Sequence, residues 1–309
     1  MNRKKRIAVH TLVKNEARFI WYSIMSVFNY VDGIRIWDMG STDYTRAVIG
    51  KILDLPESSE KVVYEDAIMA DFDEAYARKH MLQMTPEIDE VYKDESFFPW
   101  TREKMLKATS ADWFIVVDGD EIWWDESIKK VVDLIQEKGD ELESIVVPTT
   151  LAVGDMFHYQ EEAAGRYRLA GKVGHYAIRA INRKIPGLAS SSLPHGKWGW
   201  VDGTGTMIQD RDPKKIAFID APYIHTTFLP RASNLSNDMA VTKRANKLKH
   251  EIGKSFPKDF YYPEVFFRPR PEIVESPWQV MPPKFKFRAF FETPLRKIKR
   301  RVWWGRAGY

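Results

Sequence analysis

The chain contains no cysteine among its 309 residues. It therefore has no disulfide framework, no thiolate zinc site and no cysteine nucleophile, and this composition fits a reducing compartment. No apolar run approaches the roughly 20 residues that a membrane span requires. The basic start leads into an apolar stretch that is too short and too polar for a secretory signal. We therefore expect a cytoplasmic protein, with peripheral attachment to the inner face of a membrane as an option.

The composition also shows a high aromatic content and an uneven distribution of charge. Hydrophobic residues make up 44%, charged residues 29% and aromatic residues 13% of the chain, which is ample material for a core. Aromatic side chains often line pockets for sugars or bases, although core packing is their commoner use. The formal net charge is +4, and basic residues concentrate at the first six positions and from Lys284 onward.

Strand and helix patterns alternate over the first seventy residues, which is typical of a parallel sheet with crossover helices. The patterns predict strands at residues 7–13, 34–37, 61–64, 112–117 and 144–147, and helices at 20–31, 45–55, 101–109 and 127–138. Residues 66–100 lack a clean period and indicate helical excursions or a loop over the sheet. Beyond residue 150 we expect strands at 216–219 and 222–225, a helix at 231–253 and extended chain at 255–294.

Polar clusters follow three of the predicted strands. Asp118-Gly119-Asp120 comes directly after the most apolar strand, and similar clusters end the first strand at residues 11–16 and the second at 37–43. In a doubly wound sheet such strand ends converge at the carboxyl edge, where ligands bind. Two carboxylates one residue apart suit Mg²⁺ or Mn²⁺ bound together with substrate phosphates. A polar turn without a ligand is the alternative for each cluster.

The order of these motifs resembles that of family-two glycosyltransferases with the GT-A fold. The motifs are Val13-Lys14-Asn15-Glu16, then Trp37-Asp38-Met39-Gly40-Ser41-Thr42-Asp43, then Val117-Asp118-Gly119-Asp120-Glu121. The resemblance covers residues 6–150 and implies an α/β, Rossmann-like fold, with a mainly parallel sheet flanked by helices, an irregular acceptor region and a basic tail. It implies a GT-A domain at residues 1–230, with a nucleotide-sugar half at 1–150 and an acceptor half at 151–230. A C-terminal extension at 231–309 would follow.

The same resemblance implies an inverting transferase with a role in polysaccharide biosynthesis. Such an enzyme moves a sugar from a nucleotide diphosphate, with UDP favoured, to a glycan or lipid-linked acceptor, and no nucleic-acid partner is expected. The motifs imply that the nucleotide-sugar is contacted by Thr11, Lys14, Asn15, Glu16, Asp38, Ser41, Arg102, Asp118 and Gly119. Mn²⁺ or Mg²⁺ would be held by Asp118, by Asp120 and, as a third ligand, by His225.

The catalytic base is expected among four residues. An inverting transfer requires a carboxylate within hydrogen-bond reach of the acceptor hydroxyl. Similar sequences place this carboxylate in a His-Glu pair after an arginine-rich strand, but here His195 is followed by Gly196. Asp202 is therefore the alternative candidate, with Glu161 and Glu162 behind it.

The basic tail at residues 284–309 supports a separate hypothesis. Helical spacing from residue 294 places Leu295, Ile298 and Val302 on one face among basic residues, with Phe290, Phe291, Trp303 and Trp304 flanking them. Basic amphipathic helices that carry Trp and Phe lie in anionic membrane interfaces. A solvated helix packed on the domain is the alternative.

Two other functions remain open from the sequence. A sugar nucleotidyltransferase usually opens with a glycine-rich loop, but residues 12–18 contain no glycine. A nucleic-acid or membrane-surface binding protein on an inactive GT-A-like fold would explain the basic ends. It would leave the three acidic strand ends unexplained, because acids in a groove repel phosphate.

Overall fold

A computed structural model describes residues 3–67, 97–165, 167–169, 171–193, 198–241, 244–248 and 250–302. Its strands are β1 (Ile7–Val13), β2 (Gly33–Asp38), β3 (Val62–Asp66), β4 (Trp113–Val116), β5 (Glu121–Trp123), β6 (Ser144–Val153), β7 (Asp155–Tyr159), β8 (Tyr167–Leu169), β9 (Lys172–Gly174), β10 (Tyr176–Asn182), β11 (Ala189–Ser190), β12 (Trp200–Val201), β13 (Ile216–Phe218), β14 (Tyr223–Phe228) and β15 (Lys254–Ser255). Its helices are α1 (Ile20–Val27), α2 (Thr45–Leu53), α3 (Phe97–Lys107), α4 (Asp125–Lys138), α5 (Leu235–Met239), α6 (Arg244–Lys247) and α7 (Pro283–Val302).

The central sheet has a parallel half and a mixed half. The strand order runs β3-β2-β1-β4-β10-β6-β7-β15, and β3, β2, β1 and β4 are all parallel. Strand β10 is antiparallel to both β4 and β6, so β6 runs in the same direction as β4. Strands β13 and β14 pair in parallel with β6. The expected α/β class, with a largely parallel sheet flanked by helices, is confirmed.

Apolar periodicity explains why these elements form and how they pack. Every residue of β1 is buried, as a strand covered on both faces requires. Helix α1 buries Ile20 and Ile24 at the spacing of one helical turn, and α4 buries Val131 and Ile135 in the same way. These faces belong to one core with the sheet, and this core positions the parallel strands and their carboxyl ends.

The C-terminal residues pack on this same core. Val265, Phe266 and Val274 are buried within it, and the Tyr22 hydroxyl donates to the carbonyl oxygen of Glu275 at 2.8 Å. The division between a domain at 1–230 and an extension at 231–309 therefore remains a prediction. Within the described ranges, no helix is long and apolar enough to cross a bilayer.

Two expectations for the C-terminal region are wrong. The helix expected at residues 231–253 is replaced by two short ones, because the chain turns so that Asp238 and Arg244 reach the interior. Residues 283–293 belong to α7 rather than to extended chain, since a proline is tolerated in the first turn of a helix, and the helix predicted from residue 294 is the second half of α7. Most of the 66–100 segment, at 68–96, lies outside the described residues, as do Trp303 and Trp304.

Candidate functional site

The polar turns that follow β1, β2 and β4 meet at the carboxyl edge of the sheet. The Met39 N–H donates to the Val13 carbonyl at 2.8 Å, and the Val117 N–H donates to the His10 carbonyl at 3.1 Å. A Cβ atom on Gly119 would lie 2.8 Å from the Val13 Cγ1 atom, so glycine lets the turn after β4 approach the end of β1. The three sequence motifs are therefore neighbours in space.

Asn15 joins these turns to one another. Its φ of 53° lies in the left-handed region, which asparagine adopts more readily than most residues. Its N–H donates to Ser41 Oγ at 2.9 Å, and its Oδ1 accepts from the Thr42 N–H at 2.8 Å. Its Nδ2 donates to the Asn237 carbonyl at 2.7 Å. Asn15 thus positions the turn after β2, while its predicted contact with a nucleotide remains a prediction.

Asp38 is fully buried at the end of β2 and is saturated with hydrogen bonds. Its Oδ1 accepts from Ser41 N–H at 2.8 Å and Ser41 Oγ at 2.7 Å. Its Oδ2 accepts from Arg46 Nε at 2.6 Å and from the Tyr64 hydroxyl at 3.4 Å. Burial, followed by the Asp38 charge, raises the pKa of Tyr64 to about 12. These bonds use much of the carboxylate's acceptor capacity, and the predicted contact of Asp38 with the nucleotide-sugar remains a prediction.

Asp118 forms an ion pair with a buried arginine and remains partly exposed to solvent. Arg102 Nη2 donates to Asp118 Oδ1 at 2.5 Å, and the Asp118 side chain is 31% exposed. The Arg102 guanidinium lies 5.3 Å from the Phe98 ring centroid and 5.8 Å from that of Trp198. Burial would raise the pKa of Asp118, but the Arg102 and Arg179 charges hold it below the usual value. Asp118 is therefore an ionised carboxylate that solvent can reach.

Asp120 shares a buried arginine with Glu16. Arg231 Nη1 lies 2.6 Å from Asp120 Oδ2 and 2.6 Å from Glu16 Oε1, and all three side chains are at most 8% exposed. His225 Nε2 lies 3.3 Å from Asp120 Oδ1. Burial would raise the pKa of Asp120, but the charges of Arg231 and His225 hold it well below the usual value. Burial raises the pKa of Glu16 despite the opposing charge of Arg231.

Glu121 contacts the backbone of Asp118 and the imidazole that lies beside Asp120. It was not predicted as a site residue. Its Oε1 binds Arg179 and lies 3.9 Å from His225 Nδ1, while its Oε2 accepts from the Asp118 N–H at 3.2 Å. Arg179 Nε also donates to the Tyr223 hydroxyl at 2.9 Å. Burial raises the pKa of Glu121 to about 7, although Arg179 opposes the shift. We refer to Glu16, Asp118, Asp120 and Glu121 as the carboxylate cluster.

Two further cations from the C-terminal region border the carboxylate cluster, and the sequence patterns did not single them out. Arg244 donates to Asp238 Oδ1 at 2.5 Å and to two backbone carbonyls at the end of β14 and just after it. Burial lowers the pKa of Lys247, as does the Arg231 charge, while the Asp120 charge opposes this shift. In the sequence these residues belong to a run of lysines and arginines after Arg231. Such a run looks the same as the solvent-exposed face of a helix, so it does not identify a site.

Three further predicted nucleotide contacts, Thr11, Lys14 and Glu16, lie at the end of β1 and directly after it. Thr11 is fully buried, and its Oγ1 has no hydrogen-bond partner among the described residues. Lys14 is half-buried at the sheet edge. The Glu16 N–H donates to Thr45 Oγ1 at 2.8 Å, while Glu16 Oε2 is buried without a partner in the described ranges. The structure therefore brings these residues to the carboxylate cluster, and their contacts with a nucleotide remain predictions.

Asp202 is separated from the carboxylate cluster. Its Oδ1 accepts from the N–H and the hydroxyl of Thr204 at 2.9 Å and 2.7 Å, and its Oδ2 pairs with Arg211. Arg211 also binds Glu143, which directly precedes β6 beside the amino ends of β4 and β6. Asp202 thus lies towards the opposite edge of the sheet, so its prediction as the base is corrected. His195 lies outside the described residues.

Glu161 and Glu162 lie closer to the carboxylate cluster. The Gln160 N–H donates to the Leu151 carbonyl at 2.8 Å, and Leu151 is level with His225 in the register of β6 and β14. Neighbouring strands are about 4.8 Å apart, so the chain at Gln160, which directly precedes Glu161, lies roughly 10 Å from His225. The glutamates therefore remain candidates for the base.

The donor set of this edge suits a divalent cation. Carboxylate oxygens are the ligands that Mg²⁺ prefers, and a neutral imidazole is a reasonable third ligand for Mn²⁺. Asp118, Asp120 and His225 supply such groups, and Asp118 is open to solvent. Within the described ranges, however, no three His, Asp or Glu side chains are grouped as a ready-made metal site. Arg102 and Arg231 instead hold one oxygen of each aspartate, so a cation would have to share them.

No protein-family model and no curated protein sequence matches the chain. It is similar to solved structures of glucosyl-3-phosphoglycerate synthase from Mycobacterium tuberculosis. One, in complex with Mn²⁺, uridine-diphosphate-glucose and phosphoglyceric acid, is 19% identical with a TM-score of 0.43, over 79% of this chain and 78% of that one. Residues 1–349 of TarS from S. aureus are 12% identical with a TM-score of 0.39, over 78% and 71% of the two chains. Similarities at this level carry no argument about what the chain binds, so the assignment of a function depends on the geometry of the carboxylate cluster.

Proposed function

We propose that the chain is a glycosyltransferase that moves a sugar from a nucleotide-diphospho-sugar to an acceptor with the help of a divalent cation. The observation that supports this most directly is the pair of ionised aspartates, Asp118 and Asp120, at the carboxyl edge of a parallel sheet. Three cationic side chains, Arg102, Arg231 and Lys247, border the same two carboxylates.

The mixture of charges is what a metal-bound diphosphate requires. Mg²⁺ and Mn²⁺ are held in such sites by one or two carboxylates together with substrate phosphates. Arginine binds phosphate oxygens through charge-assisted hydrogen bonds. A site with only acids would repel the diphosphate, and a site with only bases would not retain the cation. The carboxylate cluster and its bordering cations supply both kinds of group within one edge of the sheet.

In this proposal Asp118 and Asp120 hold the cation, and His225 completes the set. The cation's contribution is to neutralise the charge that develops on the leaving diphosphate. Arg231, which now binds Asp120 at 2.6 Å, would be placed to bind a phosphate oxygen of the same substrate. Glu121 keeps His225 and the Asp118 backbone in place, because it contacts both.

The finer parts of the proposal concern the donor, the acceptor and the stereochemistry. We propose a UDP-sugar donor, a glycan or lipid-linked acceptor in polysaccharide biosynthesis, and inversion at the anomeric carbon. Inversion requires one carboxylate base on the acceptor side, and Glu161 and Glu162 are the candidates nearest to the carboxylate cluster. The absence of cysteine fits an enzyme of the cytoplasm.

Calorimetric titration with UDP, GDP and dTDP, each with and without Mn²⁺, tests this function. Wild type should bind one nucleotide in a metal-dependent way. Asp120→Asn should weaken that binding by roughly 100-fold, because even the loss of an outer-shell partner of a metal ligand costs about 10- to 100-fold. Asp140→Asn is the matched control, since Asp140 is an exposed carboxylate that pairs with Lys5 and Lys184 far from the cluster.

The outcomes separate the alternatives. Metal-dependent binding of one nucleotide that survives Asp140→Asn and not Asp120→Asn supports the proposal. If the folded wild-type protein binds none of the three nucleotides, the proposed donor site is wrong. Binding that Mn²⁺ does not change would leave a nucleotide site but contradict the role given to Asp118 and Asp120.

A further inference from the structure

Helix α7 is anchored to the body of the protein along one face. Ala289 and Thr293 are buried there, and the Ile252 N–H donates to Thr293 Oγ1 at 2.9 Å. Glu292 Oε1 lies 3.2 Å from His250 Nδ1. These contacts determine the rotation of the helix about its own axis. They therefore determine which residues lie on its exposed face.

That opposite face carries an apolar ridge. Its members, with their exposed fractions, are Phe287 (70%), Phe290 (67%), Phe291 (58%), Leu295 (67%) and Ile298 (58%). At about 100° per residue they fall within an arc of roughly 140°, which is centred opposite the buried face. The rings of Phe287 and Phe290 lie 5.4 Å and 5.3 Å from that of Phe291. Monomeric soluble proteins rarely expose a continuous apolar surface of this kind without a partner.

Basic side chains border the apolar ridge on both sides. At the same angular spacing, Lys284 and Arg288 lie along one border, and Lys286 and Lys297 lie along the other. All four are exposed, and none forms an ion pair within the part of the chain that the structure describes. The acid in this stretch, Glu292, is already bound by Arg296 at 2.9 Å and by a histidine. The face therefore combines apolar bulk with uncompensated positive charge.

The position of α7 relates this face to the carboxylate cluster. Met281, just before the helix, and Phe285, in its first turn, lie against Gly154, just after the carboxyl end of β6. Gly154 has a φ of 79° and lacks the Cβ that would collide with both side chains. Because β6 runs in the same direction as β4, this end of α7 lies at the sheet edge that carries the carboxylate cluster.

We propose that the apolar ridge of α7 inserts into the interface of an anionic lipid bilayer, with the four bordering bases on lipid phosphates. Helices with a basic polar border and Phe or Leu on the apolar side bind in this plane. A second copy of the chain fits less well, because it would bring the same four positive charges against these four. The docking is independent of the proposed sugar transfer. If that function holds, the arrangement would present the carboxylate cluster to an acceptor at the bilayer surface.

Vesicle flotation of the full chain tests this proposal. Vesicles of phosphatidylcholine alone are compared with vesicles that also contain phosphatidylglycerol, at low and high salt. Phe287→Ser/Phe290→Ser should weaken binding to the anionic vesicles by roughly tenfold or more, because the variant lacks two phenyl rings that would be buried in the bilayer interface. Lys284→Glu/Lys297→Glu should weaken it to a similar extent and remove the salt dependence. Tyr261→Ser is the matched control, because Tyr261 is a 62% exposed aromatic residue that does not belong to α7.

Equal binding of wild type and Phe287→Ser/Phe290→Ser, or equal binding to neutral and anionic vesicles, overturns the proposal. Dimerisation without vesicle binding, measured by light scattering and lost in the same double variant, assigns the ridge to a second copy instead. Thermal melts of the variants confirm that they fold. Calorimetry separates the two proposals: nucleotide binding without vesicle binding refutes only the docking, and vesicle binding without nucleotide binding refutes only the transferase assignment.

Discussion

Replacing Arg231 with methionine should destabilise the protein severely. The guanidinium lies 2.6 Å from carboxylate oxygens of both Asp120 and Glu16, and its side chain is 8% exposed. Methionine preserves much of the volume but leaves two buried acids facing each other. Breaking a buried ion pair by removing one partner costs about 3–5 kcal/mol. Because native domains are stable by only about 5–15 kcal/mol, this loss is a large fraction of the total.

Urea unfolding at neutral pH measures the loss of stability in Arg231→Met, and two further variants serve as comparisons. Arg211→Met is the matched control, since Arg211 also bridges two carboxylates but is 19% exposed and remote from the carboxylate cluster. Its cost should be nearer 1 kcal/mol, as for partly exposed pairs. Glu16→Gln/Arg231→Met should recover roughly 1–3 kcal/mol relative to the single variant, because contacting residues couple by this amount.

The result that would refute this reasoning is a cost for Arg231→Met no greater than that for Arg211→Met. It would mean that the acids near Arg231 are solvated or protonated without the guanidinium. A double variant no more stable than Arg231→Met alone would show that Glu16 and Asp120 do not repel each other once the cation is gone.

Two other predictions concern pH and packing. Burial, followed by the charge of Arg102, holds the pKa of His10 well below its usual value, so unfolding takes up a proton as the pH falls below about 6.5. The free energy of unfolding should drop by up to about 1.4 kcal/mol per pH unit there, and His10→Gln should flatten this slope in urea titrations. Gly119→Ala would place a methyl group 2.8 Å from the Val13 Cγ1 atom; it should cost about 1–3 kcal/mol by overpacking and weaken nucleotide binding in the same calorimetric assay. An unchanged unfolding midpoint would show that this turn can shift freely.

The sheet and its acidic edge were predictable from the sequence because their signals are local. The apolar run of β1 and the strand before Asp118 both predict buried strands, and the polar residues after them identify the carboxyl edge. The structure confirms these elements within a few residues. Composition and periodicity are sufficient here because each strand's environment is determined by its own side chains.

The partners of the acids were not predictable in the same way. Asp38 was predicted as a nucleotide-sugar contact, but its hydrogen bonds to Arg46 and Tyr64 were not predicted. Arg231 was not among the predicted site residues, yet it is buried between two carboxylates. Both outcomes depend on how distant segments pack, which no local pattern reports. The basic stretch after Arg231 likewise reads as an exposed helix until its tertiary contacts are known.

The ion pair of Asp120 with Arg231 also has a consequence for synthesis on the ribosome. The two residues are 111 positions apart in the chain. At a synthesis rate of about 5–20 residues per second, Arg231 is added to the chain roughly 6–22 s after Asp120. During that interval the emerging sheet carries uncompensated acids at its edge. The first half of the chain should therefore complete its packing only after the segment beyond β14 has left the exit tunnel.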